Sequence, residues 1–261
     1  MQVNTPKQTA EAALQAGLNK TALHHDPARL LVLAIMAGCY IALGGTLSLI
    51  AGYGLGATAD TPAIQKLASG ATFPIGLILV VVLGAELFTG NNALLIPAFM
   101  HRHYKASTVA VNWTVVYLGN LVGAVAFTTL FTWGVGLTAT EPYHSAAIAI
   151  GTAKTSMPWL TVLLKGIGAN WCVCLGVWLA LSGKTLCDKI AGCWWPVMAF
   201  VVLGYEHCIA NMFYLPLAML EGAPFGVWDA VWRNLIPATL GNIIGGAIFV
   251  GCVHTWLHLK K

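Results

Sequence analysis

The chain has 261 residues, of which 58% are hydrophobic and 8% charged, and its 13 Lys and Arg exceed its 9 Asp and Glu to give a net charge of +4. Soluble domains carry roughly 25% charged residues, so this composition, with a mean hydropathy of +0.76, excludes one and describes an integral membrane protein. Most of the cations fall between apolar segments, where topology alone accounts for them, and no nucleic-acid surface is implied.

Residues 1–27 mix Lys7, Glu11, Lys20, His24 and His25 with alanine and leucine. They read as a cytoplasmic amphipathic segment lying on the membrane surface, without the short apolar core and cleavage site of a signal peptide. Residues 28–261 then form one transmembrane domain of six apolar stretches: Leu30–Tyr53, Ile64–Met100, Thr108–Leu137, Trp159–Ser182, Ile190–Leu220 and Val231–Leu257. A helix needs ~20 residues to cross the hydrocarbon, and the second and fifth stretches are longer than that. Both are predicted to be broken into half-helices, with the unwound backbone buried in protein or facing water.

Each long stretch carries a glycine-flanked octet in its interior. Gly84-Ala85-Glu86-Leu87-Phe88-Thr89-Gly90-Asn91 is echoed by Gly204-Tyr205-Glu206-His207-Cys208-Ile209-Ala210-Asn211, with glycine, glutamate and asparagine in the same relative places. Asn112, Gly119, Asn120, Gly123 and Ala124 likewise match Asn234, Gly241, Asn242, Gly245 and Gly246. Two halves of three spans each follow, and because three is odd the second enters the membrane from the other side, giving a 3+3 inverted repeat. The Gly-x-x-x-Gly pairs also serve close helix packing.

Lys7, Lys20, Arg29, Arg102, Lys105, Lys184, Lys189, Lys260 and Lys261 fall on one side, against Lys66, Lys154 and Arg233 on the other. The excess places both termini in the cytoplasm. Lys165 is left inside the fourth span, where it neutralises a glutamate, faces a central pore or snorkels. The seven cysteines are odd in number and mostly within spans, which makes them core residues and not a disulfide framework; Cys172 and Cys174 point apart on a helix and make no metal pair. No metal or cofactor is expected. Trp113, Trp194 and Trp195 are expected at membrane interfaces and protomer contacts.

These blocks, together with Leu118-Gly119-Asn120-Leu121-Val122-Gly123, Asn170-Trp171-Cys172-Val173-Cys174-Leu175 and Asn234-Leu235-Ile236-Pro237, stand in an order that resembles the formate/nitrite transporter family from about Leu30 to the end. The resemblance implies an all-α homopentamer in the bacterial inner membrane, with an aquaporin-like protomer and one pore for small monovalent anions in each. It implies that His207 and Thr89 face each other in the pore, that Lys154 lies in the outer vestibule and that Asn170 lies beside the pore. The implied constriction is Leu77, Leu87 and Phe88 against Phe73 and Phe200. Nitrite and formate are the expected substrates, and hydrosulfide and lactate the alternatives.

A small anion cannot cross an apolar constriction uncompensated. His207 is the histidine placed near mid-membrane, and its imidazole offers either a hydrogen bond or a proton, which makes passage pH-dependent or proton-coupled. Thr89 supplies a hydroxyl, or a cap, at the first break. Glu86 and Glu206, with Asn91 and Asn211, are expected to support the broken helices by bonding the freed backbone amides, since a carboxylate facing the pathway would repel an anion. An aquaporin would need paired Asn-Pro-Ala motifs, which the chain lacks. A membrane enzyme using Glu206 and His207 is the alternative of a different class, but no His-Glu-x-x-His, second deep histidine or matched nucleophile accompanies them.

Overall fold

The computed structural model describes residues 3–55 and 62–259, and all regular structure among the described residues is helical. Lys260 and Lys261 of the charge count lie outside them. Helix α1 spans Pro6–Ala22, and its N-terminus is closed by a capping box in which Thr5 and Gln8 bond each other's backbone. A short turn leads to α2 (Pro27–Tyr53), where Asp26 accepts from the Arg29 amide. There follow α3 (Pro62–Thr72), α4 (Ile75–Leu83), α5 (Phe88–Leu94), α6 (Ile96–Met100) and α7 (Ala106–Trp133, π-helical from Thr128). The second half comprises α8 (Tyr143–Ser156), α9 (Trp159–Ser182), α10 (Leu186–Val202), α11 (Cys208–Leu220) and α12 (Val227–His258).

Five of these helical stretches, Pro27–Tyr53, Pro62–Leu83, Ala106–Trp133, Trp159–Ser182 and Val227–His258, are long and apolar enough to cross a membrane, and Cys208–Leu220 is a shorter apolar helix. The helical path stops at Leu83 and restarts at Phe88, and stops again at Val202 and restarts at Cys208. Helix α2 packs along α7, and α9 packs along α10 and α12. Gly119 and Gly123 press against α2, and Gly241 and Gly245 against α9, so that backbones touch where side chains would hold them apart.

Two elements depart from the sequence reading. Helix α1 does not lie free on a membrane surface: Thr9, Ala10, Ala13 and Gly17 are buried, and it packs against α6 and α9. Its small residues form a face too flat to anchor in lipid and well suited to close packing on protein. Helix α8 fills part of what reads as a loop between the third and fourth spans. At 14 residues of small and weakly apolar side chains, it is too short to register as a crossing helix.

Candidate functional site

Both breaks begin with a glycine in the left-handed region, Gly84 at φ 74° and Gly204 at φ 67°, a conformation that a Cβ disfavours. The chain then runs extended for about three residues, which strips backbone groups of their helical partners in an interior where an unmet group costs about 1–3 kcal/mol. An asparagine from the last helix of each half meets them. Asn120 Oδ1 accepts from the Phe88 amide at 2.9 Å, while its Nδ2 donates to the carbonyls of Glu86 at 2.9 Å and Ala34 at 2.7 Å. Asn242 does the same at the other break: its Oδ1 accepts from the Cys208 amide at 2.8 Å, and its Nδ2 donates to Glu206 O at 2.9 Å and Gly166 O at 2.8 Å. The Glu86 and Glu206 amides donate to the carbonyls of Leu33 and Lys165.

The glutamate side chains therefore do not bond the freed amides, contrary to the sequence expectation. A carboxylate only accepts, whereas an asparagine can accept from an N–H and donate to a carbonyl at once. Glu86 instead takes Lys20 Nζ at 2.8 Å and Asn91 Nδ2 at 2.7 Å. Glu206 takes Lys154 Nζ at 2.9 and 3.1 Å, Asn211 Nδ2 at 2.8 Å and Asn234 Nδ2 at 3.0 Å. Each glutamate side chain is 4% exposed, and the lysines are 16% and 14%. Asn91 and Asn211 also donate to Asn112 and Asn234, which fastens each half-helix to the span that follows it. Lys165 neutralises neither glutamate, because Lys20 and Lys154 hold those places. Lys154 stands in the wall of a cavity as the half-buried partner of Glu206, with its Nζ 5.4 Å from the Tyr214 ring centre.

The two breaks differ in the residue that precedes the restarting helix. His207 is the N-cap of α11, and its Nδ1 accepts from the Ala210 amide at 3.0 Å; Leu87 in the same place caps nothing. A ring whose Nδ1 accepts carries its proton on Nε2 when neutral. That nitrogen lies 2.9 Å from Thr89 Oγ1, with the ring stacked on Phe200 at 5.7 Å. Nε2–H donates to the threonine oxygen, and the threonine O–H remains able to donate to a third group.

A cavity of about 600 Å³ opens on the α1 side, with Lys20, Glu86, Leu77, Leu87 and Val177 among its lining residues. A second of about 260 Å³ opens on the Lys154 side, with Tyr53, Tyr205, Phe73, Phe200 and His207 in its wall. Between them lies a space of about 10 Å³ bounded by Ile41, Phe73, Leu77, Leu87, Val173, Val197, Phe200 and His207, barely the volume one water needs. Phe73 and Phe200 meet edge to face at 5.6 Å.

Phe88 is not in this wall. It turns outward to Trp113 and Tyr117, at 6.2 and 5.0 Å between ring centres, because at the start of α5 it points away from the face that carries Leu87. Trp113 is half-buried, with Nε1 donating to Asn91 O at 3.3 Å, and Trp195 is 69% exposed. Asn170 lies behind Thr89, donating to the carbonyls of Thr89 and Asn242. Glu206 and His207 face different partners and form no acid/base dyad. Among the described residues no cluster could hold a metal ion. The sequence reading does not reach Lys20 as an ion-pair partner and uses Asn120 and Asn242 only as matching positions of the repeat; their duplication is the signal that marks them.

Two vestibules closing on an apolar pinch, inside helices long enough to cross a bilayer, define a membrane transport protein. The chain belongs to the formate/nitrite transporter family, which it matches over residues 7–256. It is 40% identical to an uncharacterized transporter of Bacillus subtilis, covering 100% of this chain and 96% of that one. It is 36% identical to a formate channel of Bacillus thuringiensis, covering 100% and 98%. A solved pentameric formate channel with formate bound superposes with a TM-score of 0.77 at 32% identity, covering 90% of this chain and 99% of the other.

Proposed function

We propose that the protein is a channel for small monovalent anions, formate or nitrite, and that the anion passes between the two vestibules at the Thr89–His207 pair. The observation that carries this reading is that His207, whose Nε2 lies 2.9 Å from Thr89 Oγ1, borders the apolar pinch between the cavities. An anion arriving there replaces one hydrogen bond with two, from Nε2–H and from the threonine O–H, where the surrounding wall offers only carbon. Leu77 and Leu87 form the constriction on the α1 side, and Phe73 and Phe200 on the other. The ion pairs of Lys20 and Lys154 compensate Glu86 and Glu206, so neither vestibule sets a bare carboxylate against an arriving anion.

Formate is favoured over nitrite because the similar channels carry formate in their names; hydrosulfide and lactate are the alternatives. The architecture we infer is six crossings in a 3+3 inverted repeat, with α4–α5 and α10–α11 as the broken second and fifth spans and an aquaporin-like protomer. It assembles as a homopentamer in a bacterial inner membrane with both termini cytoplasmic. Helix α1 belongs to the segment before residue 28, and the rest forms the channel.

Proton coupling follows from how His207 is held. To become cationic the ring must take a proton on Nδ1, which sets an N–H against the Ala210 amide and breaks the cap of α11. An anion beside the ring compensates the new charge, so protonation and anion occupancy rise together. Uptake into liposomes at pH 5.5 and 7.5 tests this: wild type should carry formate faster at the lower pH, and His207→Asn should flatten the profile. An unchanged profile in the variant, or no anion flux in wild type, overturns the reading.

A further inference from the structure

We propose that Asn92 and Cys174, working with Asn170, form a clamp that sets where the Thr89 hydroxyl stands against His207, and that they are thereby positioning residues for anion selection. The proposal rests on the anion pathway proposed above and assigns its selectivity to a second layer of side chains.

The carbonyl of Thr89 receives two side-chain donors from α9, Asn170 Nδ2 at 3.2 Å and Cys174 Sγ at 3.2 Å. The two are four residues apart and so lie on one face of the helix. The Asn170 amide is itself oriented: Nδ2 also lies 3.1 Å from Asn92 Oδ1 and 2.7 Å from Asn242 O, and Cys174 Sγ lies 3.5 Å from Asn170 Oδ1. Asn242 is the residue whose side chain holds the Cys208 amide beside His207. One amide therefore ties the backbone behind Thr89 to the asparagine that fixes the backbone beside His207, spanning both walls of the contact.

Three further features mark this cluster as more than packing. Asn92, Asn170, Cys174, Thr89 and Asn242 are all fully buried, and Asn92 Nδ2 has no hydrogen-bond partner. A buried amide left half unmet is unfavourable as packing, and here its other atom orients Asn170. Gly246, on the π-helical part of α12, leaves the space the cluster fills: a Cβ there would stand 2.5 Å from Asn170 Nδ2 and 2.9 Å from both Asn92 Cβ and Cys174 Sγ. The matching residue of the first half is Ala124, and the residue matching Thr89 in the second half is Ile209. The repeat thus departs from itself at the clamp and at the hydroxyl together.

A hydrogen bond weakens steeply as its distance and angle drift, so a shift of the first turn of α5 changes which anions the hydroxyl can serve. Wild type, Cys174→Ser, Cys174→Ala, Asn92→Leu and Gly246→Ala are reconstituted in liposomes at equal folded amounts, and formate and lactate uptake are measured in each. Cys174→Ser keeps a donor and should hold the formate-to-lactate ratio near that of wild type. Cys174→Ala, Asn92→Leu and Gly246→Ala should shift that ratio by about threefold or more. Equal ratios in all variants, with only the total flux falling, would mean the cluster merely packs and the clamp is wrong. Wild type carrying neither anion would instead sink the pathway beneath it.

Discussion

The asparagine clasp at the second break gives the sharpest test of how the interior is held. Asn242→Leu keeps the side-chain volume near that of asparagine but removes the acceptor for the Cys208 amide and the donor to Glu206 O and Gly166 O. Three buried backbone groups lose their partner. At about 1–3 kcal/mol for each group left unmet, with some relief where carbonyls relax, the loss is on the order of 3–6 kcal/mol. For a chain of this size 1 kcal/mol corresponds to about 2–4 °C, so the midpoint of thermal unfolding in detergent should fall by roughly 10 °C. Asn120→Leu should behave alike, since it makes the same three bonds at the first break. Glu206→Gln, which removes charge but keeps an oxygen for Asn211 and Asn234, should cost less. A shift under about 3 °C for Asn242→Leu, with a larger one for Glu206→Gln, would return the support of the break to the carboxylate and refute the reasoning.

Two more outcomes are expected. Lys154→Met leaves the Glu206 carboxylate buried without its cation and should destabilise the protein by about 3–5 kcal/mol, most of it recovered in the Lys154→Met, Glu206→Gln double variant; thermal unfolding of the three proteins decides, and no recovery would contradict the pairing. His24, in the turn between α1 and α2, is held below the ordinary imidazole range by burial and by His25, against an opposing pull from Glu86. Its folded form resists protonation while the undocked segment does not, so docking of α1 is full above about pH 6.5 and weakens as pH falls below it. Protection of the α1 amides, taken as exchange relative to the intrinsic rate at each pH, should fall between pH 7.5 and 5.5, and His24→Gln should remove that part of the change.

Much of the site could be read from the chain because its chemistry is repeated. The two octets locate both breaks to within a few residues, since a positive-φ glycine and an intramembrane glutamate are rare in ordinary spans, and the fourth stretch, Trp159–Ser182, coincides with α9. The division of labour inside the repeat was not legible. Glutamate and asparagine recur together at each break, and spacing alone does not say which meets the backbone. Phe88 sits beside Leu87 in sequence, yet the restart of the helix turns the two to opposite sides.

Composition and periodicity by themselves determined a membrane protein of apolar helices with two interruptions and one histidine deep within it. Those properties follow from transfer free energies and local backbone preference, which each residue carries with it. Only the tertiary structure decided that Lys20 from the first helix and Lys154 from a helix the sequence hid are the partners of Glu86 and Glu206. It alone placed Asn120 and Asn242 over the breaks and Asn170 behind Thr89. Those pairings join residues 32 to 86 positions apart, and which donor reaches which acceptor across such separations is fixed by how helices pack and not by any property of the residues alone.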